Sequence, residues 1–214
     1  MKRFAIIFIA LLIAASPALA EIVQIECFGS VEYNQINSGI FGDVNSGDVV
    51  YATMTVDSDN WIDSVDYGVR SYPVILESFE LTIGSAGPVP LVIPQPEGQT
   101  TYFNLRNADP VSDGFFIAND PEFPWVFPSL DEPGNIDPYF NFHWEVGYEG
   151  TTLDSRDILD AIGSYDYTGL TSFYTVIGDS WADAMGLEYD HMVITTASVA
   201  TQSSSLSEVK ALFQ

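Results

Sequence analysis

The sequence predicts an all-β fold: an antiparallel β-sandwich or jelly-roll-like domain of about nine strands with one or two short helices. Three observations predict it. Apolar and polar residues alternate with a period of two over many short segments. Clusters of glycine, proline, asparagine and aspartate separate these segments. Helical periodicity is confined to a few short stretches. Many short strands joined by polar turns are typical of two-layer β folds.

The strand predictions rest on this alternation. In the segment 48–57, Val50, Ala52, Met54 and Val56 share one face. Nine segments are predicted as strands: 21–28, 48–57, 77–83, 89–93, 100–106, 114–118, 139–146, 171–177 and 187–197.

Three segments carry a helical signal. The stretch 153–163 begins with capping residues, places Ile158 and Ile162 on one face and ends at Gly163, so it predicts a helix. The stretch 180–185 predicts a single turn. The C-terminal segment 198–214 reads as a polar linker followed by a short helix that begins at a capping box.

Residues 1–20 have the form of a signal peptide. Two basic residues precede an apolar run at 4–15, and Ala18-Leu19-Ala20 provides a small-x-small cleavage site. We expect cleavage after Ala20, a β-sandwich domain at 21–197, and a secreted or periplasmic protein that does not insert into the membrane after cleavage. Cys27 is the only cysteine in the sequence, so no internal disulfide can form.

The charge balance limits the partners. Thirty acidic residues face six basic ones, which gives a formal net charge of −24 at pH 7. Nucleic acids and anionic membranes are therefore disfavoured as partners. Three explanations of the acidity stay open: adaptation to salty surroundings, binding of divalent cations, and solubility.

The segment 55–64 is the candidate metal site. Asp57, Asp59 and Asp63 follow a predicted strand closely, and carboxylates of irregular loops are suitable ligands for Ca²⁺. An EF-hand is excluded because the fifth, sixth and twelfth positions counted from Asp57 do not hold a ligand, a glycine and a glutamate. The alternative is a solvated acidic turn. Ca²⁺ is the only cofactor that the sequence suggests.

The segment 119–138 is the candidate ligand-binding region. It has five prolines and three bulky aromatic residues, and loops of this length are uncommon in compact domains unless they have a function. Trp125, Phe127 and Asp131 are the predicted binding residues, since aromatic faces pack on sugar rings and carboxylates accept hydrogen bonds from hydroxyl groups. The alternative is a loop that covers one end of the sandwich with its aromatic side chains in the core.

No residue is assigned a catalytic role from the sequence. His143 and Glu145 share one strand face and could line a concave site. The stretch "GDS" at 178–180 resembles the nucleophile block of GDSL-type esterases, with Ser180 as the nucleophile and His191 as its partner. Those enzymes need a parallel α/β sheet, and here the block comes near the end of the chain.

A broader resemblance rests on the order of "MTVDSD", "SFELTIG", "NADPVSDGFFIA" and "YDHMVI". In this order the chain resembles the secreted β-sandwich domains of bacterial exported proteins of the PEP-CTERM type over most of residues 28–195. It departs from them at its end, where "SSLSEVKALFQ" replaces the sorting tail. The resemblance implies a fold and an exported location, and no activity.

Together these features favour a non-enzymatic binding or structural module of the envelope or extracellular space. Its expected partner is an extracellular glycan or an envelope protein, with calcium stiffening the fold. The alternative is an extracellular hydrolase of glycans or esters, with a site at His143 and Glu145 or at Ser180 and His191.

Overall fold

The structure, a computed structural model, describes residues 20–64, 66–108, 111–131, 140–180 (backbone alone at 179–180) and 183–197. The predicted signal peptide, apart from Ala20, and the predicted C-terminal linker and helix lie outside the described residues. Among those that are described, no helix is long and apolar enough to cross a membrane.

Twelve antiparallel strands make up most of the described chain. Their bounds are β1 (Ile22–Asn34), β2 (Val49–Asp57), β3 (Ile62–Asp63), β4 (Val69–Pro73), β5 (Glu80–Ile83), β6 (Ala86–Val89), β7 (Tyr102–Asn107), β8 (Asp113–Ala118), β9 (Asn141–Tyr148), β10 (Gly163–Tyr165), β11 (Leu170–Ser180) and β12 (Asp183–Thr196). Three single-turn 3-10 helices occur between them, at Gly39–Phe41, Leu76–Ser78 and Pro96–Gly98.

The strands form one continuous, curled sheet. Hydrogen bonds join them in the order β3-β4-β7-β8-β9-β11-β12-β1-β2-β5-β6, and β10 pairs with β12 beside this path. The sheet curls until distant strands meet: Val56 of β2 forms a bridge with Val74, which follows β4. Across the interior, the rings of Phe79 and Phe142 lie 5.8 Å apart. The all-β prediction is confirmed.

The alternating residues fill one core on the inner face of this sheet. The four apolar residues predicted to share a face of β2 are all buried. In β9, Phe142, Trp144 and Val146 are buried in the same core. Alternation therefore identifies the inner face correctly, because successive side chains of a strand point to opposite faces.

The predicted helix at 153–163 is wrong. The stretch is a series of turns that ends in β10. Side chains from the sheet hold its backbone groups: Asp113 Oδ2 accepts a hydrogen bond from the Leu153 amide at 2.7 Å, and the Tyr72 hydroxyl accepts one from the Ile158 amide at 3.0 Å. Tertiary hydrogen bonds thus replace those of a helix.

The single helical turn predicted at 180–185 is wrong for its described residues, because Ser180 ends β11 and residues 183–185 begin β12. Residues 181–182 lie outside the described part of the chain. The strand predicted at 89–93 lies earlier, in β6. Sequence patterns missed β3, β4 and β10, which have two, five and three residues.

Candidate functional site

A loop rich in aromatic residues covers part of the outer face of the sheet, the face opposite the core. We call residues 119–131 the aromatic loop. Ser71 Oγ of β4 donates a hydrogen bond to the Pro121 carbonyl at 3.0 Å, and the Asn119 amide donates to the Val126 carbonyl at 2.6 Å. Beneath the loop, Val69, Phe116 and Ala118 form a small second apolar cluster.

Buried amides fix the loop at its base. The Asn119 side chain accepts a hydrogen bond from the Thr101 hydroxyl at 2.6 Å and donates to Gln95 Oε1 at 3.1 Å. The same Gln95 oxygen accepts a hydrogen bond from the Ser129 amide at 2.8 Å. Both ends of the loop are thus tied to one hydrogen-bond network on the sheet.

A cleft of about 400 Å³ lies between the aromatic loop and the ends of the nearby strands. Trp125 stands at its rim with 67% of its surface exposed. Phe123 and Tyr67 are also exposed, and their rings meet edge to face at 5.8 Å. The cleft is lined by Tyr67, Gly68, Val69, Arg106, Ala108, Glu122, Phe123, Pro124, Trp125 and Glu145.

Three charged side chains lie in this cleft. Arg106 Nη2 is 3.2 Å from Glu145 Oε1, and its guanidinium lies 5.1 Å from the centre of the Phe116 ring. The neighbouring His143 imidazole and the Arg106 guanidinium hold the pKa of Glu145 below its usual range, against the opposite effect of burial. Glu122 accepts a hydrogen bond from Ser64 Oγ at 3.0 Å.

His143 supports the loop from below. It is 3% exposed, although it points to the outer face. Its ring stacks on Phe127 at 4.2 Å, lies 4.5 Å from the Tyr174 ring and meets Trp125 edge to face at 6.0 Å. His143 Nε2 is 3.9 Å from Glu145 Oε2, so the supporting ring and the charged wall of the cleft are neighbours.

Of the three predicted ligand-binding residues, Trp125 and Phe127 both pack on the His143 ring, but only Trp125 lines the cleft. Asp131 is exposed but does not line the cleft, and its amide donates a hydrogen bond to the Pro90 carbonyl at 2.8 Å.

Sequence patterns missed Tyr67, Arg106 and Glu122 as cleft residues. One available signal for Arg106 was its rarity, since the whole sequence has only six basic residues.

The acidic turn at 57–63 has partners within the protein. Asp57 Oδ1 accepts a hydrogen bond from the Asp59 amide at 2.9 Å. The Asp63 carboxylate accepts bonds from Arg70 Nε and Nη2 at 2.8 and 3.1 Å. This guanidinium lowers the pKa of Asp63.

Within the described ranges, no group of three or more histidine, cysteine, aspartate or glutamate side chains is placed to hold a metal ion. The fold therefore does not gather Asp57, Asp59 and Asp63 into one site. Calcium binding there stays a prediction without support from their geometry.

The esterase-like pair is separated. Ser180 pairs with Asp183 at the start of β12. His191 lies further along that strand and stacks on Phe28 at 4.4 Å. The eight residue-to-residue steps from Asp183 to His191 along the strand span roughly 26 Å. Ser180 and His191 thus belong to different regions of the sheet.

Comparison with known proteins adds no relative: the chain matches no protein-family model, no curated protein and no solved structure.

Proposed function

We propose that this chain is an exported, non-enzymatic binding module of the envelope or extracellular space, and that it holds a glycan in the cleft beside Trp125. The observation that carries the proposal is the exposed indole at the rim of a cleft that also contains carboxylate and guanidinium groups. Aromatic faces pack on the apolar faces of sugar rings, while carboxylates accept hydrogen bonds from sugar hydroxyl groups and guanidinium groups donate them.

The support beneath the rim strengthens this proposal. Trp125 and Phe127 pack on the buried ring of His143, and the loop is anchored at its base by Asn119 and Gln95. A binding surface that is already ordered loses less conformational entropy when a ligand arrives. The contacts of Trp125 and Phe127 with His143 reduce the conformational freedom that these two rings would lose on binding a glycan.

The proposal also includes a β-sandwich-like arrangement of the sheet and the export of the protein from the cell. The two halves of the curled sheet enclose one core, so we treat the fold as a β-sandwich-like domain. We also retain export through the N-terminal segment, and the resemblance to secreted domains of the PEP-CTERM type, as parts of the proposal. With a net charge of −24, nucleic acid and anionic lipid are not proposed as partners.

Binding to a panel of oligosaccharides, followed by calorimetry and by tryptophan fluorescence, tests the proposal. We expect Trp125→Ala to weaken binding at least about tenfold, a loss typical of a central aromatic contact. Phe173→Ala is the matched control, because Phe173 is an exposed aromatic residue of β11 outside the cleft. Equal loss in both variants, or binding to no oligosaccharide, contradicts the proposal.

A hydrolase is the second candidate, and one observation favours it. Glu145 lies in the cleft beside His143, and Glu122 supplies a second carboxylate. Carboxylates in a cleft are the groups that glycoside hydrolysis requires. The test is product formation from the oligosaccharides that bind. In an enzyme, Glu145→Gln abolishes product formation and keeps binding, whereas a binding module yields no product even in its native form.

A further inference from the structure

The positive and negative charges of the side chains that line the cleft are unequal in number. Arg106 is paired with Glu145 at 3.2 Å, so the one positive charge in the lining is compensated. Glu122 has no such partner: no cationic side chain of the described chain lies within ion-pair distance of its carboxylate. Its carboxylate accepts a hydrogen bond from the neutral hydroxyl of Ser64. The cleft therefore carries surplus negative charge within a chain whose net charge is already −24.

The aromatic residues of the cleft also favour a positively charged ligand. Tyr67, Phe123 and Trp125 are all partly exposed beside Glu122. The face of an aromatic ring carries the negative part of its quadrupole, so it attracts cations, and tryptophan does so most strongly. Carboxylates and ring faces together favour a ligand that brings a positive charge into the cleft. An acidic sugar would meet repulsion from both carboxylates.

We infer that the cleft binds a glycan whose sugars carry free amino groups, with an ammonium group close to Glu122 and a sugar ring against Trp125. This inference rests on the proposed glycan-binding function and names the chemical class of the ligand. The volume of about 400 Å³ lies in the range of sites for small organic ligands, so it can hold a sugar ring together with its ammonium group. Acetylation of the amine removes its charge and with it the attraction to Glu122.

Two oligomers with the same backbone test the inference. Calorimetry compares a glucosamine tetramer with an N-acetylglucosamine tetramer on the full chain. We expect the glucosamine tetramer to bind at least about tenfold more tightly, since a hydrogen bond between charged groups is stronger than one between neutral groups. We also expect this preference to shrink as salt is added, because ions screen the attraction.

The variant Glu122→Gln tests whether the preference for the glucosamine tetramer arises in the cleft. Glutamine keeps an oxygen that can accept the Ser64 hydrogen bond but removes the charge. We expect it to weaken glucosamine binding about tenfold and N-acetylglucosamine binding much less, so that the preference for the glucosamine tetramer is lost. Glu80→Gln is the control, because Glu80 is an exposed carboxylate of β5 outside the cleft. Thermal unfolding of both variants establishes that they remain folded.

The outcomes separate the two proposals. If both tetramers bind equally, glycan binding stands and the preference for amino sugars is overturned. If Glu122→Gln and Glu80→Gln weaken glucosamine binding equally, the general charge of the protein causes the preference and the assignment to the cleft is overturned. If an acidic oligomer binds most tightly, the inference is overturned as well. If no glycan binds, the proposed function fails, and this inference fails with it.

Discussion

Tyr72 offers the sharpest test of how the sheet holds the irregular segment 153–162. Its ring is fully buried, and its hydroxyl donates a hydrogen bond to the Arg156 carbonyl and accepts one from the Ile158 amide, each at 3.0 Å. Tyr72→Phe removes this hydroxyl and leaves the Ile158 amide without its partner in the core. An unsatisfied buried donor costs about 1–3 kcal/mol. We therefore expect the free energy of unfolding to fall by about 2 kcal/mol.

Urea unfolding measures this loss as a lower midpoint with an unchanged slope. For a chain of this size, about 2 kcal/mol corresponds to a decrease in Tm of roughly 4–8 °C. Tyr174→Phe is the control, because Tyr174 is 41% exposed and the loss of its hydroxyl leaves polar groups around it within reach of water. A loss below about 0.5 kcal/mol in Tyr72→Phe, equal to that of the control, would refute the role given to Tyr72.

Three further predictions concern acid stability, the sheet and cations. Arg70 lowers the pKa of Asp63 in the folded state, so the pair stabilises the protein above the unfolded pKa of about 3.9, and this contribution is lost as the pH falls through the lowered folded pKa. Asp63→Asn should therefore reduce the acid dependence of the urea midpoint, by less than about 1 kcal/mol because the carboxylate is one-third exposed. An unchanged pH profile contradicts this. Gly29→Ala should lower Tm strongly because the new Cβ would lie 2.1 Å from the Glu188 carbonyl oxygen. Gly163→Ala should change Tm little because its new Cβ meets nothing within 4 Å. Equal decreases in Tm contradict this prediction. Monovalent salt should raise Tm by screening the acidic surface. Ca²⁺ at equal ionic strength then tests the calcium prediction: a further rise that is lost when the acidic turn is neutralised supports a calcium site, and an unchanged Tm contradicts it.

The sequence allowed the inner face of the sheet to be predicted, because burial on one face imposes a period of two. That period is clear in β2 and β9, and both were predicted close to their observed bounds. The strand β4 has no such pattern: it contains Pro73, and it is placed by pairing with β7. Register between strands distant in sequence depends on long-range packing, which a local pattern does not contain.

The helix at 153–163 failed for a related reason. Its apolar spacing is compatible with a helix, and Ile158 and Ala161 are indeed buried. The backbone amides of this stretch instead donate hydrogen bonds to polar side chains of the sheet, Tyr72 of β4 and Asp113 of β8. Intrinsic helix preference amounts to less than about 1 kcal/mol per ordinary residue, so a few buried hydrogen bonds can override it.

The candidate site was predicted in part, and what was missed shows how it is built. Trp125 was found because a proline-rich segment with large aromatic residues is unusual. The charged wall was predicted only in part: strand alternation places Glu145 on one face with His143, whereas Arg106 and Glu145 become neighbours only when β7, β8 and β9 pair in their observed register. Glu122 is one of 30 acidic residues in the sequence, and no local pattern distinguishes it from the others.

The position of the cleft follows from the way the sheet curls. The core fills the inner face of the sheet, and the cleft lies on the outer face. On that face, Val69, Phe116 and Ala118 would expose apolar surface to water unless something covered them. The aromatic loop covers this cluster and leaves part of its own aromatic surface exposed at Trp125. Covering the outer cluster and presenting an aromatic rim are therefore two consequences of one loop, which is why the cleft lies at its edge.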